Sequence, residues 1–101
     1  MPIRRVDARE LRRLFNEGRY WERAIAGEFS QVVLDDRHPS LPAANEPFCT
    51  HSQIVSYRDD NNKEVARVHQ YLRQDGSLGA SRRPDPKKLK EGDVLYWLQS
   101  G

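Results

Sequence analysis

Glu64-Val65-Ala66-Arg67-Val68-His69-Gln70-Tyr71-Leu72-Arg73 decides how the chain is read. Its apolar and polar residues alternate as on a strand, where successive side chains point to opposite sides of a sheet. Ala66, Val68, Gln70 and Leu72 form one set, mostly apolar, and belong against a packed layer. Val65, Arg67, His69, Tyr71 and Arg73 form the other, with alternate Cα atoms about 6.5–7 Å apart. That second set gathers guanidinium, imidazole and phenol on one wet surface.

Upstream, His51 to Arg58 is also strand-like, and Asp59-Asp60-Asn61-Asn62 between the two runs supplies residues that tolerate left-handed turns. A hairpin is expected. Downstream, Gln74-Asp75-Gly76-Ser77 contains the Asp-Gly pair that favours a type I′ turn, returning the chain along Leu78 to Ser81. In that register Tyr71 faces Ala80 and His69 faces Arg82. Asp85-Pro86 followed by Lys87 to Glu91 and Gly92 carries an N-cap, a proline at the first helical position and a closing glycine, and predicts one short helical turn. Val94 to Leu98 then reads as a last apolar strand.

Toward the N-terminus, Asp7 to Ala26 reads as an amphipathic helix. Asp7 and Glu10 stand in a capping-box relation, Gly27 closes the helix, and Leu11, Leu14, Phe15, Trp21 and Ile25 mark its apolar stripe. Gly18 in the middle predicts a kink or two successive helices. Glu28 to Leu34 is β-rich. Residues 35–50 hold Pro39, Pro42 and Pro47, which fix φ and remove donors, and read as a long loop. The fold class expected is therefore α+β: an N-terminal amphipathic helix, residues 7–26, packed on an antiparallel β-meander of four to five strands within residues 51–98.

The chain has 101 residues, enough for one domain. Its hydrophobic fraction is 37 % and its charged fraction 32 %, so the core is small and the surface heavily charged. No apolar run approaches the length that spans a bilayer, and the basic N-terminus is not followed by the apolar core of a signal peptide. The expected location is cytoplasmic, with no membrane partner. A single cysteine, Cys49, excludes an internal disulfide and fits a reducing compartment.

A net charge of +2 is too mild to name a polyanion partner, so distribution matters more. Arg4, Arg5, Arg9, Arg12, Arg13 and Arg19 crowd the first fifth of the chain; Arg82, Arg83, Lys87, Lys88 and Lys90 crowd a later segment. They form one patch only if the fold joins them.

The segment Val65 to Arg73, with Asp75-Gly76, Leu78-Gly79, Ser81 and Pro84-Asp85-Pro86-Lys87 after it, resembles a segment found in small bacterial proteins of unknown function. The resemblance covers about a third of the chain and implies a bacterial origin. It carries over no catalytic or binding residue.

The chemistry on offer is recognition of oxyanions, because guanidinium forks match phosphate and carboxylate and imidazole exchanges protons near neutral pH. The first reading is a non-enzymatic binding module in which Arg67, His69, Tyr71, Arg73, Arg82, Lys87 and Lys88 engage an anionic ligand, an acidic protein or RNA. A second is a metal-independent ribonuclease of toxin type built on the same face, Tyr71 included. In it His69 is the general acid or base, Glu64 or Asp75 the complementary carboxylate, and Arg67 or Arg82 the phosphorus stabiliser. A third is a homodimeric structural protein paired through the edge Val94 to Leu98. Asp35, Asp36, His38, Cys49 and His51 are of metal-ligating type, but only Cys49 and His51 are tightly spaced and no zinc signature results. Neither metal nor cofactor is expected, and Cys49 reads as an ordinary thiol.

Overall fold

Asp7 separates the first strand from the first helix: its carboxylate accepts the Glu10 amide at 2.8 Å, as an N-cap should. The reciprocal half of the capping box is missing, since the Glu10 carboxylate turns to Arg13. The computed structural model describes residues 2–38 and 45–99. Before the cap lies β1 (Ile3–Val6), and after it α1 (Ala8–Glu17), which buries Leu11 and Phe15.

The helix read as residues 7–26 is two helices. Gly18 caps α1, and Arg19 adopts a left-handed φ of 54° before α2 (Tyr20–Ile25) begins. A Cβ on Gly18 would sit 2.3 Å from the Tyr20 ring, so only glycine allows this close approach. The break rotates the stripe. Tyr20 and Ala24 are buried, whereas Ile25, expected in the core, is 63 % exposed.

Six strands among the described residues form one sheet, rather than four or five. After β1 come β2 (Ser30–Arg37), β3 (His51–Arg58), β4 (Glu64–Leu72), β5 (Asp85–Glu91) and β6 (Val94–Leu98), in the spatial order β1-β6-β5-β4-β3-β2. The consecutive strands pair antiparallel, but β1 lies parallel to β6, so the sheet is mixed. The parallel ladder is anchored by Leu95 N–H donating to the Pro2 carbonyl at 2.9 Å and Gln99 N–H to Val6 at 2.7 Å. Val94 to Leu98 is therefore an interior strand, not the free edge through which a dimer was expected. Asp35 to Arg37 belong to β2 and not to the proline-rich loop; residues 39–44 of that loop lie outside the described residues.

The β3–β4 hairpin forms as read. Asp59 holds its turn by accepting the Asn61 and Lys63 amides at 2.9 and 3.0 Å. The next turn departs from the expectation: Gly76 N–H reaches the Arg73 carbonyl at 2.9 Å, Arg73 N–H reaches Ser77 at 2.8 Å, and Gly76 takes φ of 89°. Pairing then dwindles to a single bridge between Leu72 and Leu78, so Leu78 to Ser81 is not a strand. His69 pairs with Asp85 instead of Arg82.

The segment read as a helical turn is β5. Pro86 and Leu89, three apart, are both buried, a helix-like spacing that a strand reaches because a bulge at Lys87 inserts one extra residue. Proline is tolerated there, near the strand start and beside the bulge.

Both helices lie on one face. Leu11, Phe15, Tyr20, Ala24 and Phe29 pack on Val55, Tyr57, Ala66, Val68 and Leu89, with Val6, Tyr96 and Leu98 at the margin. The parity read from the sequence holds through Ala66 and Val68, each 0 % exposed. It fails at Val65, where a second bulge turns the side chain toward the helices and Glu64 to the other side. No helix among the described residues is long and apolar enough to cross a membrane.

Candidate functional site

Strand parity carries Arg67, His69 and Tyr71 away from the helices, onto the uncovered face. His69 is half-buried there. Its Nε2 lies 2.8 Å from the Ser52 hydroxyl and its ring meets Tyr71 edge to face at 4.7 Å. Burial, reinforced by the nearby Lys87 ammonium and opposed by Asp85, holds the imidazole below its ordinary pKa. The neutral ring is therefore favoured, with one nitrogen engaged by Ser52.

Beyond the His69–Asp85 pair, β4 and β5 part company because residues 73–84 loop out between them. The parting leaves a cleft of about 560 Å³, lined by Ile54, His69, Gln70 and Tyr71, by Gly79 to Ser81 and Arg83, by Asp85 and Lys87, and by Arg12 from α1. Here the two basic clusters of the sequence meet. Arg83 is fixed by three contacts: Glu22 at 2.8 Å, Asn16 at 3.1 Å, and the Trp21 ring, 4.6 Å below its guanidinium carbon. Lys87 pairs with Asp85 at 3.0 Å. Arg12 donates to its own Ala8 carbonyl at 3.3 Å and, among the described residues, has no carboxylate partner.

The other sequence candidates lie elsewhere. Arg67 and Lys88 share the Glu64 carboxylate at 3.1 and 2.9 Å, and Ser56 donates to it at 2.6 Å. Burial pushes Glu64 up, but the hydrogen bonds from Ser56, Lys88 and Arg67 outweigh it and leave the carboxyl below the usual range. Arg73 is held by Glu46 at 3.0 Å, and the second oxygen of Glu46 accepts the Ala80 amide at 3.0 Å. Gly79 lies directly under this carboxylate, and a Cβ there would push the Glu46 side chain aside. Arg82, at φ of 66°, lines a separate cleft with Trp21, Arg73 and Asp75.

The ribonuclease constellation is thus not assembled as expected. With Val65 bulged out, Glu64 stands four ladder positions from His69, as Arg58 does from Ile54 on β3, about 13 Å along the strand. Asp75 accepts from the Ser77 amide and hydroxyl in the other cleft. The carboxylate in register with His69 is Asp85, and it is occupied by Lys87.

Among the residues of metal-ligating type, Asp36 and Asp35 part to opposite faces of β2. Asp36 accepts from His51 at 2.7 Å and Gln53 at 3.2 Å, and the His38 and His51 rings stack at 4.2 Å. Asp35 instead pairs with Arg37 at 3.6 Å. No group of three or more His, Cys, Asp or Glu among the described residues is placed to hold a metal ion.

Reasoning from the sequence found His69, Tyr71 and Lys87, and missed Arg12, Ser81 and Arg83 as lining residues. The two arginines were visible only as members of charge clusters. No family model, no curated protein and no solved structure matches the chain.

Proposed function

We propose that this protein is a non-enzymatic binding module that takes an anionic ligand in the cleft at the end of β4. One observation carries the reading: cations from three separate segments, Arg12 of α1, Arg83 of the loop and Lys87 of β5, line one cleft. Charge-assisted hydrogen bonds to oxyanions are about twice as strong as neutral ones, and a cleft that gathers such donors spends them best on a phosphate or carboxylate. His69, Tyr71 and Ser81 add neutral donors beside them.

Two of the three cations already have carboxylate partners, which fixes their geometry before a ligand arrives. Preorganisation of this kind reduces the ordering cost of binding. The third, Arg12, supplies surplus charge. A neutral His69 suits this role, since it offers a hydrogen bond without demanding a counter-ion.

Calorimetric titration with inorganic pyrophosphate tests the proposal. The wild-type chain should bind, and Arg12→Ala combined with Lys87→Ala should weaken binding by about tenfold or more, the loss expected for one or two charge-assisted contacts. Unchanged affinity in the double variant would overturn it.

A further inference from the structure

One register row crosses the sheet from edge to edge on the face that the helices leave open. Val32, Ser56, Arg67, Lys88, Trp97 and Arg5 are successive partners through β2, β3, β4, β5, β6 and β1. Their neighbours Val55, Ala66, Leu89, Tyr96 and Val6 belong to the helix-covered core, so strand alternation sends the row to the opposite side. With strands about 4.8 Å apart, Arg67 to Arg5 covers about 14 Å.

The order of chemistry in the row is cation, cation, indole, cation. Lys88 Nζ stands 4.8 Å from the centre of the Trp97 ring, and Lys88 and Arg67 share the single carboxylate of Glu64. Arg5 is exposed and has no carboxylate partner among the described residues. The row is therefore net positive, with an aromatic plane set between its charges.

We propose that this row binds a single-stranded polynucleotide, a base taking the place of Lys88 over the Trp97 ring while Lys88 turns to a flanking phosphate that Arg5 and Arg67 also meet. The inference rests on the anion-binding reading above, because a polynucleotide reaching the β4 end would place a phosphate in the same cleft. Single-stranded chains are gripped by cations that follow the backbone and by aromatic rings on which bases stack. A small anion would not use the indole. An acidic protein would match the charge but leave the indole without a planar partner. A duplex keeps its bases stacked inside, and this face presents no helix to enter a groove.

Fluorescence anisotropy of a labelled oligouridylate, run beside the pyrophosphate titration, tests the proposal on the full chain. Trp97→Leu should weaken oligouridylate by about tenfold, the order that stacking of one base contributes, while Trp97→Phe recovers most of the loss. Pyrophosphate affinity should stay the same in both. Arg5→Glu, at an exposed edge position that burial does not constrain, should weaken the oligonucleotide and make its salt dependence shallower by about 0.7 in log-log slope.

Oligouridylate binding indifferent to Trp97 and Arg5, with pyrophosphate still dependent on Arg12, would overturn this inference and leave the cleft reading standing. Poly-glutamate bound as tightly as oligouridylate, and equally sensitive to both substitutions, would overturn it in favour of an acidic protein. Binding of neither pyrophosphate nor oligouridylate would sink both readings.

Discussion

The two faces of the sheet are built from alternate residues of the same strands, yet they are held by different physics. On the helix side, Val55, Tyr57, Ala66, Val68 and Leu89 are at most 1 % exposed and pack on Leu11 and Phe15. On the other side, Ser56 is just as inaccessible, but it lies under charge: the Glu64 carboxylate that it bonds and the Arg58 guanidinium, 3.2 Å from its hydroxyl. Carbon buries one face and ion pairs cover the other. The first arrangement makes stability; the second leaves donors near a surface where a ligand can recruit them.

The sharpest way to break this contrast is to open a hole on the carbon side. Leu89→Ala should cost about 2–5 kcal/mol, by lost burial and the cavity left behind, measured as a shift in the denaturant midpoint. Its neighbour Lys88, truncated to Ala, should cost much less in stability.

Gly18→Ala comes next, and its sign is diagnostic. In an ordinary helix the change stabilises by about 1 kcal/mol, but here the new methyl would meet the Tyr20 ring, and overpacking should destabilise by about 1–3 kcal/mol. A stabilised variant would show that the break between α1 and α2 is not enforced by that contact.

On the charged side, Glu64→Gln should cost about 1–2 kcal/mol near neutral pH, since two cations lose a shared, largely buried acceptor. The pH dependence follows from the lowered folded pKa of Glu64. Its contribution is fully present above the ordinary Glu value of 4.5 and is lost as pH falls through the depressed folded value, so the variant should lose less stability on acidification. Parallel acid limbs in the two chains would contradict the assignment.

The smallest effect belongs to Tyr57, whose buried hydroxyl has no hydrogen-bond partner among the described residues and whose pKa burial drives upward. Tyr57→Phe should leave the thermal midpoint unchanged or raise it slightly, because it removes a polar atom that folding desolvates without return. A loss of more than about 1 kcal/mol would point to a water on that hydroxyl.

What could be read before the structure follows from how local each signal is. The β3–β4 hairpin is written in adjacent residues, with Asp59 both ending a strand and holding the turn, and the face carrying His69 and Tyr71 follows by alternation. The strand β1 has only Ile3-Arg4-Arg5-Val6 to announce it, and its partner β6 lies at the other end of the chain, beyond any local signal. For β5, the bulge at Lys87 gives Pro86 and Leu89 a helical spacing, and Asp85-Pro86 adds the appearance of a helix start. The left-handed Arg19 changes which side of α2 is buried, so the stripe drawn through Ile25 was in the wrong phase. At the candidate site, Lys87 was accessible from charge and position, whereas Arg12 is carried to the cleft by the docking of α1 on the sheet and Arg83 is held there by contacts with α1 and α2.

The α+β frame survives all of this because the buried apolar residues of β3 and β4, Val55 and Tyr57, Ala66 and Val68, fall on alternate positions and fix which side is buried. The face that carries recognition in this account is the remainder after that decision.

Amide chemical shifts followed during titration with inorganic pyrophosphate test that account most directly. Perturbations gathered at Arg12, His69, Tyr71, Ser81, Arg83 and Lys87, saturating together and absent in the Arg12→Ala, Lys87→Ala chain, are the predicted result. Shifts confined to Arg4, Arg5, Arg9 and Arg13, which lie outside the cleft, or none at all, would contradict it.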